Sequence, residues 1–245
     1  MTRRNQWDVW ISVGALALLA AWDASGWDMA AMRSLGNASG FTLRSAAALA
    51  QLHQASRVIA WAVLAWQGWM AFGPQRVGKL GNLGTSKPQP DRAYRRYWFG
   101  VTLACVLGIN IIKYASNTSC PWDLAEFGGT ARHVSHWMFW LADGGPGQCF
   151  PSGHSSAAFA FFTLYFVWRS YDANRARRYL LAVCTAGAIL SLTQILRGAH
   201  YPSHALWSAW VCWTICCAAN RWQDRPSKRV AVPPGAGQLL QLKVP

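Results

Sequence analysis

Phe150-Pro-Ser-Gly-His154-Ser-Ser-Ala-Ala-Phe-Ala-Phe-Phe-Thr-Leu-Tyr-Phe-Val-Trp168, closed by Arg169, is the stretch that organises this chain. It contains no Asp, Glu, Lys or Arg. Its length is close to the ~20 residues that a helix needs to cross the hydrocarbon of a bilayer. Five more apolar segments accompany it: Val9–Trp22, Val58–Phe72, Tyr97–Ile112, Tyr179–Leu196 and Ala205–Ala219. Several are short, and they reach crossing length only by recruiting flanking Trp, Tyr and Arg as interfacial anchors.

The charges decide how such segments would be threaded. With the N-terminus inside and six crossings, 17 of the 23 basic residues fall inside, among them Arg3, Arg4, Arg92, Arg95, Arg96, Arg169 and Arg175. Asp23, Asp28, Asp123, Glu126 and Asp143 fall outside. This is the positive-inside bias of membrane proteins, and it accounts for the net charge of +14 without nucleic acid as a partner. The 13% charged residues are few beside the ~25% of soluble domains. The 16 Trp suit the headgroup level of a bilayer. The fold expected is therefore all-α, a six-helix transmembrane bundle with cytoplasmic termini. Two other arrangements are a soluble helical bundle and a first segment that is a cleaved signal peptide. Trp22 and Asp23 make a poor cleavage site for the latter.

Residues 1–220 read as one domain, and 221–245 as a basic, Pro-containing, flexible tail. Inside, Gly73–Arg96 reads as a solvated connector. Outside, Leu43–Ala55 has helical spacing and either lies along the surface or extends the second helix. The largest outside loop runs from Tyr114 to about Cys149, the length of a lid or binding loop. Cys105, Cys184, Cys212, Cys216 and Cys217 lie in apolar segments and pack as small hydrophobes. Cys120 and Cys149 share the outside loop, where an oxidising compartment could join them; two free thiols are the alternative. All six histidines, His53, His133, His136, His154, His200 and His204, fall outside, which points to an outward-facing active site.

Pro151-Ser152-Gly153-His154 opens its segment as a helix N-terminus would, with free amides for an anion, a hydroxyl donor at Ser152 and close backbone approach at Gly153. His154 there could protonate a leaving oxygen. In Arg197-Gly-Ala-His200-Tyr-Pro-Ser-His204 the two histidines share a face if the last helix starts that early. One imidazole could then orient the other for attack on phosphorus. Lys113 ends the third segment at the same boundary, and Arg197 could clamp two phosphate oxygens. His133-x-x-His136 and His200-x-x-x-His204 also have metal-ligand spacing. A serine hydrolase is disfavoured, since no G-x-S-x-G is present.

Lys113-Tyr-Ala-Ser-Asn-Thr-Ser-Cys120-Pro121, Pro151-Ser-Gly-His154 and Thr193-Gln-Ile-Leu-Arg197-Gly-Ala-His200-Tyr-Pro-Ser-His204 together resemble the three-part signature of the type 2 phosphatidic acid phosphatase family. The resemblance implies a membrane enzyme that hydrolyses a lipid phosphate or diphosphate, with no metal or other cofactor. It implies His200 as the nucleophile, forming a phosphohistidine, and His154 as the acid for the leaving group. Lys113, Ser152 and Gly153 would hold phosphate oxygens. Localisation would be the bacterial inner membrane, with the site facing the periplasm. A lipid phosphotransferase and an inactive phospholipid-binding relative are the alternatives. Three positions depart from the family pattern: Cys120 and Gln194 stand where it has Arg, and His204 where it has the Asp that orients the nucleophile. Arg197 and Arg132 are the candidates to replace the two guanidiniums, and His204 is expected to accept the Nδ1–H of His200.

Overall fold

The computed structural model describes residues 3–74 and 89–224. In chain order the elements are α1 (Arg3–Ser25), α2 (Trp27–Leu35), a two-residue-stranded hairpin of β1 (Gly36–Asn37) and β2 (Gly40–Phe41), α3 (Ala47–Phe72), α4 (Arg92–Ala115), α5 (Gly153–Phe159), α6 (Phe162–Trp168), α7 (Ala173–Leu196) and α8 (Pro202–Gln223). Two 3-10 turns, Pro121–Asp123 and Ala125–Phe127, punctuate the long loop between α4 and α5.

Each apolar segment of the sequence lies in helix, so the all-α expectation holds. Three helical stretches are long and apolar enough to cross a membrane: Asn5–Ser25, Arg92–Ala115 and Ala173–Leu196. They mark the chain as a membrane protein. The fourth apolar segment is not one rod. It breaks between α5 and α6, where Phe161 N–H bonds Ala158 O at 3.0 Å and Leu164 N–H bonds Phe161 O at 2.9 Å, the tighter three-residue spacing. Leu43–Ala55 proves to be an extension, because α3 starts at Ala47. The boundary expected at residue 220 falls inside α8, and the tail beyond 224 lies outside the described residues, as do the basic residues of the inner connector between 75 and 88.

The main core joins α4, α5, α6, α7 and α8 through Trp98, Cys105, Ile109, Phe166, Val183 and Cys212. Gly187 lets α5 approach α7, for a Cβ there would stand 2.1 Å from the Phe159 ring. Polar atoms inside the bundle satisfy one another: Gln67 Nε2 donates to Thr163 Oγ1 at 3.2 Å, and Thr102 Oγ1 donates to Gln67 Oε1 at 3.0 Å. Large apolar side chains such as Trp10, Leu18, Val58, Trp61, Leu107, Ile111 and Leu181 face outward instead. In water such a belt would be costly; against lipid it is not.

At the end that the charge pattern places inside, Arg169 Nη1 donates to Asp8 Oδ2 at 2.8 Å and Arg169 Nη2 to Asn5 Oδ1 at 3.3 Å. Both ionised side chains are over nine-tenths buried. A buried pair is weak evidence for stability as a pair, but losing one partner strands the other charge, at a cost of about 3 kcal/mol or more. Asp8→Ala is therefore expected to lower the thermal unfolding midpoint in detergent by several degrees. A midpoint within one degree of wild type would show that Arg169 does not depend on it.

Candidate active site

The site forms at the opposite end, where α4, α5, α7 and α8 meet the long loop. The loop is held from within by the buried Asp143, whose carboxylate accepts from Ser119 N at 2.6 Å, Ser119 Oγ at 2.8 Å and Gly145 N at 3.0 Å. Cys120 and Cys149 are joined in a disulfide, with Cα atoms 5.1 Å apart. This closes the loop's two ends on each other. Lys113, in the last turn of α4, donates from Nζ to the carbonyl of Gln148. Gln148 sits at φ +56°, a left-handed conformation uncommon for a residue other than Gly. Such strain is found where the surrounding structure over-determines it, commonly at functional sites.

Ser152 caps α5: its hydroxyl oxygen accepts from Ser155 N at 3.3 Å and from Ser155 Oγ at 2.9 Å, and the residue is fully buried. Both bonds use the oxygen as acceptor, so its proton is left for the anion-holding role expected of it. Gly153 follows beside Lys113, with its Cβ position 3.8 Å from Lys113 Cδ. α5 has only seven residues, so the amide of Gly153, more than any helix dipole, is what it offers an anion.

His200 arrives from α7 through a turn at Gly198, at φ +74°, where a Cβ would also stand 2.3 Å from the Phe41 ring. The His154 and His200 rings have centroids 6.2 Å apart. His200 Nδ1 lies 3.4 Å from Cys149 Sγ, a weak acceptor, leaving Nε2 as the nitrogen free to react. Burial, then the positive charge of Lys113 and the neighbouring His154, hold the His200 imidazole well below the usual histidine pKa. A neutral imidazole is the nucleophilic form.

His204 does not orient His200 as expected. Its Nδ1 donates to the carbonyl of Cys149 at 3.0 Å, and its Nε2 has no hydrogen-bond partner among the described residues. The reason is local: α8 begins at Pro202, after His200, so the two histidines do not share a helical face. Tyr201, the residue before α8, makes no side-chain cap, and Asp28 of α2 substitutes by accepting from Ser203 N at 3.0 Å and from Ser203 Oγ. Arg197 is turned away, donating from Nε to the Arg44 carbonyl at 3.2 Å. Arg132 is exposed on the loop, and none of the described contacts joins it to Lys113, His154 or His200.

Sequence reasoning missed His53 as a site residue. It comes from α3, with Nε2 3.2 Å from His154 Nε2 and Nδ1 3.1 Å from the side-chain nitrogen of Gln194. The one available signal was its place on the same side as the other five histidines. The remaining two lie at the flank. His136 Nε2 is 3.3 Å from Asp23 Oδ2, which also accepts from Trp207 Nε1 at 2.9 Å and Trp137 Nε1 at 3.0 Å. His133 packs edge-on against Tyr201. Asp23, Asp28 and His136 have ligand atoms close enough to share a metal ion. The two carboxylates are, however, already engaged by indoles and by Ser203.

The sequence matches the PAP2 superfamily over residues 94–228, more than half of the chain and all three motifs. The chain belongs to that family, and the membership supports a phosphatase-type function. No curated protein and no solved structure matches the chain.

Two measurements check this site. Alkylation in denaturant should label five cysteines before reduction and seven after, because Cys105, Cys184, Cys212, Cys216 and Cys217 are free; seven labels without reduction would disprove the bridge. A reaction needing neutral His200 fails only when pH falls through that group's folded pKa. The acid limb of kcat/KM should therefore lie below pH ~6.5, the unperturbed histidine value, and move upward in Lys113→Gln.

Proposed function

We propose that the protein is a membrane phosphatase that hydrolyses a lipid-linked phosphate or diphosphate through a phosphohistidine on His200. The observation that carries this reading is the convergence of the His154 and His200 rings, with centroids 6.2 Å apart, beside Lys113 and Gly153. A phosphoryl group placed there has an ammonium and a backbone N–H for its oxygens, His200 Nε2 for in-line attack and His154 on the leaving-group side. Attack forms the N–P bond and breaks the bond to the leaving oxygen, to which His154 gives its proton. Water then attacks phosphorus, His154 takes a proton from it, and phosphate leaves with His200 regenerated. Stabilisation of the developing charge rests on fixed donors in a site shielded from water.

A lipid is favoured by what adjoins the opening. A groove of about 180 Å³ runs between α3 and α4 down to Gly153 and Ser156, lined further on by Trp61, Leu64 and Val106. An acyl or prenyl chain lying there would carry its phosphate to the histidines. The positive-inside charge bias supports a site on the outer, periplasmic face of a bacterial inner membrane, above six helical crossings with α5 and α6 forming one of them.

The test is phosphate release from a panel of lipid phosphates and diphosphates in detergent with EDTA, for wild type and His200→Ala. Release that persists in EDTA and falls at least 1000-fold in the mutant is expected for loss of a covalent nucleophile. Radioactive phosphate trapped on wild-type protein by acid-free quenching should be absent from His200→Ala. Equal release by the two proteins would refute the assignment.

A further inference from the structure

Beyond the opening between His154 and His200, α3 brings a second group of donors to the leaving-group side. His53 and Arg57 are one turn apart on α3 and share a face. His53 touches His154 through the two Nε2 atoms, and its other nitrogen is held by Gln194, where the family pattern has a phosphate-clamping Arg. Arg57 lines the mouth of the same groove that reaches Gly153 and Ser156. Arg57 and Arg197 both lie near enough to act electrostatically on His53 and His154. If the substrate were a monoester, this side would face only an ester oxygen and an apolar chain, and the cations would find no anion. Resting on the phosphatase reading above, we propose that His53 and Arg57 form a second anion subsite, which receives the inner phosphate of a lipid diphosphate.

The terminal phosphate then occupies the space bounded by Lys113, Gly153 and His200. His200 Nε2 bonds to the terminal phosphorus, and the bond from that phosphorus to the bridging oxygen breaks. The electron pair leaves on the bridging oxygen, His154 supplies its proton, and the leaving group is the lipid monophosphate. Once His154 carries the proton it delivers, its Nε2 no longer accepts from His53, so the His53 Nε2–H and Arg57 hold that monophosphate by charge-assisted hydrogen bonds, while its chain remains in the groove below Arg57. Water hydrolyses the phosphohistidine as before, so one inorganic phosphate and one lipid monophosphate form per turnover. The geometry also explains why Gln194 is compatible with activity. It no longer reaches phosphate but fixes the tautomer and orientation of His53, the group that does.

The experiment measures kcat/KM of the full-length protein in detergent for farnesyl diphosphate, farnesyl monophosphate and inorganic diphosphate. Wild type, His53→Gln, Arg57→Gln and, as a control remote from the site, Arg33→Gln are compared. Wild type is expected to favour farnesyl diphosphate over the monophosphate by about tenfold or more, the worth of one charge-assisted bond. His53→Gln and Arg57→Gln should each reduce that ratio about tenfold, and Arg33→Gln should not change it. A wild-type ratio of one or less, or a ratio unmoved by Arg57→Gln, overturns the subsite. Inorganic diphosphate turned over as well as farnesyl diphosphate would overturn the lipid part of it. If no substrate releases phosphate, the phosphatase reading fails separately. Equilibrium binding of the two farnesyl compounds, followed by tryptophan fluorescence, then decides the subsite. Tighter binding of the diphosphate, lost in Arg57→Gln, supports it, and equal binding rejects it.

Discussion

Cys149 ties the site together, and the rest of the outer end is arranged around its bonds. Its sulfur is joined to Cys120 and lies against Nδ1 of His200. Its N–H donates to the Thr118 carbonyl at 2.8 Å, and its carbonyl accepts from Nδ1 of His204. One residue thus fixes the loop after α4, the start of α5 and the chain on both sides of the α7–α8 turn. Without it, the first motif, which carries Lys113, would have no covalent cross-link to the second beyond the backbone itself. The bridge also constrains the unfolded chain by closing a loop of 29 residues, a stabilisation of roughly 3 kcal/mol in the chain-entropy account. The family pattern has an arginine at position 120. Here that position serves the architecture, and the anion must find its charge elsewhere.

The two ends of the bundle solve opposite problems with the same chemistry. At the end away from the site, Arg169 and Asp8 neutralise each other and Asn5 and Asn220 complete the hydrogen bonding, so that α1, the end of α6 and α8 are held in register. At the outer end the polar groups do not cancel. The six imidazoles form a nearly continuous series: His53 to His154, His154 to His200, His200 to His204, and His204 to His136 have ring centroids 4.1, 6.2, 5.9 and 5.3 Å apart. His133 reaches the series through Tyr201. Unpaired buried nitrogens, such as Nε2 of His204, cost free energy, a cost that the anion recognition proposed above would offset.

How much of this was legible follows from the range of each interaction. Apolar segments announced the helices because burial against lipid or core acts on every third or fourth residue in turn. That Lys113, His154 and His200 come together was legible because their motifs are short and specific in residue type. The break between α5 and α6 was not, for the tighter turn at Phe161 answers to packing of Phe159 on Gly187, two residues distant in sequence by twenty-eight positions. The capping role of Ser152 was hidden because capping and anion binding call for the same side chain. His204 was misassigned because i,i+4 spacing brings side chains together only within a helix, and α8 begins two residues too late. His53 was missed for a simpler reason: α3 carries no motif, and its partnership with Gln194 spans 141 positions.

Charge explains why the three departures belong together. Relative to the family pattern, Cys120 and Gln194 remove two positive charges and His204 removes one negative, so the motifs carry one positive charge fewer. A dianionic phosphate between Lys113 and the two histidines would then meet less compensation, and in a buried site that deficit is expensive. Arg57 on α3 restores one charge at the groove mouth, displaced from the reacting phosphorus toward the leaving group. Removing the orienting carboxylate acts in the same direction: it no longer stabilises an imidazolium at His200, and that histidine stays neutral and ready to attack. On the proposed diphosphate reading, the site would depend less on holding the terminal phosphate and more on holding what departs, the balance suited to a substrate whose leaving group is itself an anion.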